Sequence, residues 1–243
     1  MLKIYQQTIN EPVKFEGTGL HTGLKTRLKI LPGKEDEGII FKRVDLADKD
    51  KNVVKASYDK VSAARLCTTL ENKFGIRVST VEHLLAALYI SEIDNAIIEI
   101  NNEEVPIMDG SAKDFLKALQ KIEIVKQNKK RKYLKVLNKL SLIDREKKIS
   151  IEPSDFFEVS FQLNYNNKII GKQKNNVNFY TDSLDDVYNS RTFCLFEDIE
   201  KIRKLGLAKG GTLENALVVD SNKVLNKEGL RNKKEFVNHK ILD

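Results

Sequence analysis

STVEHLLAAL (residues 79–88) is the stretch of sequence that decides most about the fold of this chain. Its apolar side chains recur at the i, i+3, i+4, i+7 spacing of an amphipathic helix, which predicts a helix with one face in a core. The residues that carry this spacing are Val81, Leu84, Leu85 and Leu88. Ser79 and Glu82 stand three apart, as in a capping box, and this spacing predicts that the helix begins beside Ser79.

His83 lies on the same predicted helix, nearly opposite its apolar face at about 100° per residue. A histidine in that position is not an ordinary core residue. Either it is exposed to solvent, or it faces a second element that the small side chains of Ala86 and Ala87 allow to approach. The second alternative would give His83 a functional role.

Length and composition exclude several classes of protein. The chain has 243 residues, of which 41% are hydrophobic and 32% charged, a balance typical of globular proteins with one or two domains. No apolar run reaches the length of a spanning helix or a signal peptide. Cys67 and Cys194 are too few for a disulfide framework or a four-thiolate zinc site. We expect a soluble, cytoplasmic protein.

The positive charge is concentrated in one segment. Lys and Arg number 42 against 35 Asp and Glu, and residues 126–135 hold six basic residues and no acidic one. We interpret residues 126–132 as a solvated basic linker. The alternative is a non-catalytic basic module that binds the phosphates of a nucleic acid. Tyr133 is the only aromatic residue in this run, so it offers no stacking platform for single strands.

The order of elements on the two sides of this segment predicts an α+β fold, because strands precede helices in each half. We therefore predict two similar domains, residues 1–125 and 133–243, each with a β-sheet layered with helices. Strands are predicted at residues 13–17, 24–33, 39–44, 96–100, 133–137, 149–153, 157–163 and 215–220. Helices are predicted to begin near Ser79, Ser111, Glu197 and Glu235, the third of them ending at Gly206.

Two histidine-bearing motifs are candidates for chemistry. In FVNHKILD (236–243) His239 and Asp243 are four apart, so a helix places both on one face, where they form either two metal ligands or an exposed polar pair. The third ligand would have to come from elsewhere, and His83 and His21 are the remaining histidines that could supply it. Glu82 would then lie beside a metal and act on water there, unless it caps its helix.

EGTGLHTG (16–23) is rich in glycine but fits neither common phosphate-binding pattern. A tight turn that presents His21 is the better interpretation.

Six motifs in order resemble one family closely. They are EGTGLHTG (16–23), STVEHLLAAL (79–88), VPIMDGSAKDF (105–115), SRTFCLFEDIE (190–200), GLAKGG (206–211) and FVNHKILD (236–243). The chain is similar to the UDP-3-O-acyl-N-acetylglucosamine deacetylases, the zinc enzymes of lipid A synthesis in Gram-negative bacteria. The resemblance is weaker around residues 34–55 and 125–180.

This resemblance implies a set of site residues. His83, His239 and Asp243 would hold one catalytic zinc ion with an open position for water, although iron(II) is chemically possible at such ligands. Glu82 would be the general base for that water. Thr192 and Lys240 would stabilise the oxyanion that develops on the acetamide, and His21 would lie near the site.

The resemblance also implies a fold and a substrate. Helices would pack between the sheets of the two domains, and a β-α-β insert at about 192–218 would form an apolar tunnel for the acyl chain. The tunnel residues would be Phe193, Ile199, Ala208, Gly211, Thr212 and Val218. We expect a monomer that acts on the acylated UDP-sugar and releases acetate, with no nucleic-acid partner and at most peripheral contact with a membrane.

The sequence departs from the family pattern in two places. Residues 163–171 (LNYNNKIIG) lack a His-Pro pair that the family often has, which affects contacts to the sugar or diphosphate. The family also continues past the motif that ends at Asp243, where a Gly-His supplies the general acid. We therefore expect this sequence to be C-terminally incomplete and to deacetylate poorly. The remaining alternative is a non-catalytic remnant that binds lipid or zinc.

Overall fold

The computed structural model describes residues 3–243 and shows an α+β fold, as predicted. In the first half, the strands are β1 (Tyr5–Ile9), β2 (Val13–Thr18), β3 (Lys25–Pro32), β4 (Ile39–Arg43), β5 (Val53–Lys55), β6 (Val61–Ala63), β7 (Thr69–Glu71), β8 (Arg77–Ser79), β9 (Ala96–Ile100) and β10 (Ile124–Lys130). The helices of this half are α1 (Glu82–Ile90) and α2 (Lys113–Leu119).

In the second half, the strands are β11 (Leu140–Asp144), β12 (Lys147–Ile151), β13 (Glu158–Asn164), β14 (Lys172–Asn178), β15 (Phe193–Leu195) and β16 (Leu217–Val219). Its helices are α3 (Asp185–Tyr188), α4 (Ile199–Lys204) and α5 (Glu235–Leu242). Short 3-10 turns occur at Tyr58–Lys60 and Phe196–Asp198. Among the described residues, no helix combines the length and apolar character needed to cross a membrane.

The first half is built on a five-stranded sheet in the order β2-β3-β9-β4-β5, in which β4 and β9 are parallel and the other neighbours antiparallel. Alternate side chains of its strands are buried, as the period of two in a half-buried strand requires. Helix α1 packs against the same core, and Val81, Leu84 and Leu88 of its apolar stripe are fully buried. The predicted orientation of this helix is confirmed.

The second half consists of smaller sheets. Strands β11 and β12 form one hairpin and β13 and β14 another, while β15 and β16 pair in parallel through a crossover that contains α4. Helix α5 packs against β13, β14, α3 and α1, and its Phe236 and Val237 are buried in a second core with Leu217 and Val219. Helix α5 therefore joins the second half to the first.

The prediction that α1 begins in a capping box is wrong. Ser79 is the last residue of β8, and its hydroxyl donates to the carbonyl of Glu103 at 3.2 Å. Thr80 has a positive φ of 56°, which turns the chain sharply before the helix. Helix α1 begins at Glu82, and no side chain caps it. The strain at Thr80 is a tertiary effect that the three-residue spacing does not reveal.

Helix α4 ends as predicted. Gly206 has φ +78°, and its N–H donates to the carbonyl of Arg203 at 2.9 Å. A left-handed residue directly after a helix is the position that glycine favours.

Part of the basic segment is a strand rather than a solvated linker. Residues 126–130 belong to β10, which pairs antiparallel with β1. Lys132 contacts Asp36 at 2.9 Å, and Arg131 contacts Asp94 at 2.7 Å. These acidic partners offset the charge that the nucleic-acid alternative requires. Residues 133–137, predicted as a strand, have no regular structure, and the division of the chain into two domains stays a prediction.

Candidate metal centre and adjoining cavity

His83 faces α5 across the boundary between the two halves. Its side chain is 4% exposed, and its ring centre lies 5.1 Å from that of His239, with the two planes at 77°. The Nε2 atom of His83 is 3.5 Å from Oδ1 of Asp243. Of the two alternatives for a histidine opposite the apolar stripe, the approach of a second element is the correct one.

Helix α5 supplies the other two groups. His239 and Asp243 lie on one face, as their spacing predicts, with Nε2 of His239 3.4 Å from Oδ2 of Asp243. The Nδ1 atom of His239 lies 3.1 Å from the carbonyl oxygen of Ser190. Only a protonated Nδ1 can donate to a carbonyl, so this contact assigns the proton to Nδ1 and leaves the Nε2 lone pair free to bind a metal.

The three side chains fit a divalent metal ion. His83, His239 and Asp243 each offer one ligand atom, and these atoms lie within 4.8 Å of one another. Burial lowers the pKa of His239 to about 3, which keeps the imidazole neutral, as ligation requires. Burial opposes ionisation of Asp243, but the nearby His239, His83 and Lys240 keep the pKa of Asp243 below its ordinary value. Two imidazoles and one carboxylate are a donor set that suits zinc or iron(II).

Glu82 is the first residue of α1 and borders the same space. Its Oε2 accepts a hydrogen bond from the N–H of Thr68 at 3.1 Å. Burial raises the pKa of Glu82 above its ordinary value, with His83 acting in the opposite direction. A raised pKa suits a carboxylate that must take a proton near neutral pH. The capping alternative for Glu82 is excluded, because its hydrogen bond reaches Thr68 and not Ser79.

A cleft of about 920 Å³ is lined by Glu82, Asp243, Thr192 and Lys240, among other residues. The N–H of Thr192 donates to the carbonyl of Gly110 at 2.7 Å, which holds this residue at the cleft wall. Lys240 Nζ lies 2.9 Å from Oδ2 of Asp243. Four of the six residues that the resemblance implies for chemistry line this cleft, and the other two, His83 and His239, cluster with Asp243 at its edge.

A second cavity, of about 380 Å³, adjoins this cleft beneath the β15–α4–β16 crossover. Its walls are mostly apolar, and all six residues predicted for the acyl tunnel line it: Phe193, Ile199, Ala208, Gly211, Thr212 and Val218. Thr192 and Phe193 line both the cavity and the cleft.

His21 lies in the wall of this cavity. The predicted tight turn is present, because the N–H of Gly23 donates to the carbonyl of Gly19 at 3.0 Å. The turn does not present His21 to solvent, since this residue is only 7% exposed. The N–H of Ala208 donates to its Nδ1 at 3.4 Å, so His21 packs against the crossover segment.

Sequence reasoning missed three buried charged residues beside the site. Glu104 is fully buried next to the start of α1. Arg191 forms a buried ion pair, 2.8 Å between Nε and Oε1, with Glu235, the first residue of α5. Nothing in the local sequence distinguishes these residues from exposed charges. Burial of a charge depends on partners that are distant in sequence, for example 44 residues apart in the ion pair.

Two imidazoles and a carboxylate beside a buried glutamate, with an open cleft between them, define the class of metal-dependent hydrolases. The family model described as LpxC: UDP-3-O-acyl N-acetylglycosamine deacetylase matches residues 6–243 of the chain. The chain belongs to this family.

Relatives with the printed name UDP-3-O-acyl-N-acetylglucosamine deacetylase support this membership. The protein of Phenylobacterium zucineum is 39% identical over 241 residues, which cover 99% of this chain and 82% of the relative. The protein of Saccharophagus degradans is 43% identical over 243 residues, which cover 99% of this chain and 79% of the relative. The protein of Geotalea uraniireducens is 41% identical over 240 residues, which cover 98% of this chain and 77% of the relative.

Proposed function

We propose that this protein hydrolyses the N-acetyl group of UDP-3-O-acyl-N-acetylglucosamine and releases acetate, a reaction of lipid A biosynthesis. One observation carries the proposal: three side chains that fit a metal lie beside a cleft that shares two wall residues, Thr192 and Phe193, with an apolar cavity of about 380 Å³. The substrate combines an amide to be hydrolysed with an acyl chain to be buried, and the two neighbouring spaces match these two parts. Membership of the family supports the same reaction.

His83, His239 and Asp243 are the residues that would hold one zinc ion, and the same donors accept iron(II). When bound, such an ion lowers the pKa of a water molecule and polarises a carbonyl group. The hydrogen bond between Nδ1 of His239 and the carbonyl of Ser190 leaves Nε2 as the ring nitrogen that would bind the ion. The ligands come from α1 and α5, so the metal would also hold the two halves together.

Glu82 takes a proton from the water molecule that adds to the acetamide carbonyl. Its raised pKa makes it a stronger base than an exposed glutamate, and its bond to Thr68 fixes one carboxylate oxygen. Thr192 and Lys240, which line the same cleft, offer a hydroxyl and an ammonium group to the oxyanion that forms. The C–N bond then breaks, acetate leaves, and the amine takes up a proton.

The apolar cavity receives the acyl chain of the substrate. Phe193, Ile199 and Val218 supply apolar surface, while Ala208, Gly211 and Thr212 leave space for the chain. Burial of an acyl chain contributes about 0.8 kcal/mol for each CH₂ group. The cavity therefore binds the substrate by a part that does not react, and it sets the position of the sugar in the cleft.

The wider setting of the enzyme is part of this proposal. Residues 1–125 and 133–243 form two domains with their helices packed between the sheets, and contacts of α5 with α1 support this arrangement. The enzyme works as a monomer in the cytoplasm, with at most peripheral contact with a membrane.

Acetate release by the purified, zinc-loaded chain tests the proposed function. The acylated UDP-sugar is compared with UDP-N-acetylglucosamine, which has the same amide but no acyl chain. We expect slow turnover of the acylated substrate, a much lower kcat/KM for the other, and loss of turnover when a chelator removes the metal. Equal kcat/KM values for both substrates would contradict the role of the cavity, and no acetate from either would contradict the function.

A further inference from the structure

Glu104 is a fully buried carboxylate that no step of the proposed reaction uses. It accepts four hydrogen bonds from three residues: the backbone N–H of His21, the backbone N–H and the hydroxyl of Thr22, and the hydroxyl of Thr80. The donor-to-oxygen distances are 2.7–2.9 Å. A buried charge is costly unless it is hydrogen-bonded, so these four donors account for its presence.

The first two residues tie Glu104 to the turn at residues 19–23. The turn packs closely on the carboxylate, since a Cβ atom added to Gly19 would lie 2.3 Å from Oε2 of Glu104. The other side of the turn touches the crossover segment, where the N–H of Gly210 donates to the carbonyl of Leu20 at 3.0 Å. Through this turn, Glu104 holds one wall of the apolar cavity.

Thr80 ties the same carboxylate to the start of α1. Its hydroxyl donates to Oε1 of Glu104 at 2.9 Å, and its φ of 56° is unfavourable for a β-branched residue. A strained conformation persists only where its surroundings hold it. Thr80 stands two residues before Glu82 and three before His83, so its conformation sets where both side chains point.

We propose that Glu104 is a positioning residue that fixes the start of α1, with Glu82 and His83, relative to the wall of the acyl cavity. The inference rests on the proposed function for the roles of Glu82, of His83 and of the acyl cavity. Because all four partners donate, an acceptor-only carboxylate suits them. A glutamine would turn one NH₂ group towards a backbone N–H in either orientation of the amide.

The variant Glu104→Gln tests this role with two controls. Glu103→Gln makes the same change at the exposed neighbouring residue, and Asn95→Ala removes a different buried polar side chain that contacts Gln6, Gln127 and Gly38. We measure kcat and KM per folded molecule, zinc affinity by chelator competition, and the visible spectrum of the cobalt(II) form. The last two do not depend on turnover.

We expect Glu104→Gln to lower kcat or zinc affinity about 10- to 100-fold and to alter the cobalt spectrum. Asn95→Ala should lower the melting temperature but leave all three measurements unchanged, and Glu103→Gln should change nothing. If Glu104→Gln only lowers the melting temperature, as Asn95→Ala does, the inference is overturned.

A milder pair of variants covers the case in which Glu104→Gln does not fold. Thr80→Val and Thr22→Val each remove one hydroxyl donor from the same carboxylate, but only Thr80→Val cuts the link to α1. We expect zinc affinity and kcat to fall more for Thr80→Val than for Thr22→Val, and equal effects would refute the inference. Should the wild-type chain release no acetate, the proposed function fails by itself, and zinc affinity still decides the role of Glu104.

Discussion

The two helices that carry the candidate metal ligands are held in place by different means. Next to α1, the buried carboxylate of Glu104 accepts hydrogen bonds from neutral donors. At the start of α5, the equally buried carboxylate of Glu235 accepts hydrogen bonds from Nε and from the backbone N–H of Arg191. Glu235 also accepts a bond from the N–H of Arg231 at 2.6 Å.

The start of α1 is thus positioned by hydrogen bonds from neutral donors to Glu104, whereas the start of α5 is positioned by the ion pair between Arg191 and Glu235. Arg191 stands between Ser190, whose carbonyl contacts His239, and Thr192 at the cleft wall. The ion pair therefore sits at the centre of the part of the site that carries two ligands. Loss of Glu235 leaves the buried Arg191 with the exposed Glu228 as its remaining ionic partner, which costs more than the loss of one neutral hydrogen bond. The two sides of the site should thus respond differently to the same substitution.

The largest effect is expected from His83→Ala, which removes the single ligand that α1 contributes. Helix α5 would retain His239 and Asp243, but two ligands on one turn of helix make a poor site. We expect the bound zinc, measured by elemental analysis, to fall to near zero. His21→Ala is the matched control because His21 does not belong to the cluster, and it should keep its metal. Unchanged zinc in His83→Ala would contradict the assignment of this ligand.

Glu82→Gln should separate the chemical role of α1 from its ligand role. The amide cannot take a proton, so kcat should fall by about 10²–10⁴ while zinc content is unchanged. Steady-state kinetics and metal analysis on the same preparation check this outcome. A variant that loses thermal stability and keeps its turnover would mean that Glu82 is structural only. Glu92→Gln, at an exposed site after the other end of α1, serves as control.

Two substitutions of the same kind compare the anchors directly. Glu235→Gln breaks a buried ion pair, and we expect it to lower the free energy of unfolding by about 3–5 kcal/mol. Glu104→Gln disturbs hydrogen bonds to neutral donors, which costs about 1–3 kcal/mol. Urea unfolding of both variants gives the two values. If Glu104→Gln were the more destabilising, the contrast between charge and geometry would not hold.

The smallest effect is expected for Asp109, which lies shortly before α2. Its carboxylate forms an ion pair at 2.8 Å with Arg231, which lies shortly before α5. Burial raises the pKa of Asp109, but Ser111, Lys113 and Arg231 outweigh it and lower the pKa to about 2. A pKa below the value of the unfolded chain means that the stabilisation is present above pH of about 4 and is lost as the pH falls towards 2.

The expected contribution of Asp109 is about 2 kcal/mol at neutral pH. The difference in unfolding free energy between the wild type and Asp109→Asn should therefore shrink as the pH falls from about 4 to 2. Denaturant titrations at several pH values measure it. A difference that does not change over this range would exclude the ionised form of Asp109 as its source.

Local patterns in the sequence predicted much of this site. The four-residue spacing of His239 and Asp243 and the position of His83 opposite an apolar stripe follow from helix geometry, and the structure has both. The capping-box prediction failed because Thr80 adopts a left-handed conformation that Glu104, 24 residues away, holds through a hydrogen bond. Spacing within ten residues contains no information about such a partner.

The basic segment shows the same limit. A run of lysines and arginines without acidic residues is typical of a solvated linker, yet residues 126–130 pair with β1 at the other end of this half. Their ladder partners and the acidic side chains of Asp36 and Asp94 come from parts of the chain about 40 to 120 residues away. Charge composition predicts that the segment is exposed, but it does not predict that the segment forms a strand or which strand it pairs with.

The ring of Phe193 is a shared wall between the cleft and the cavity, with the Lys240 ammonium 5.5 Å from its centre. In the proposed binding mode, the acyl chain in the cavity and the reacting amide in the cleft would therefore both lie next to this one side chain. Binding energy that the acyl chain gains far from the scissile bond can then lower the activation barrier instead of only raising the affinity. Under the proposed function, a shorter acyl chain would therefore lower kcat at saturating substrate as well as weaken substrate binding.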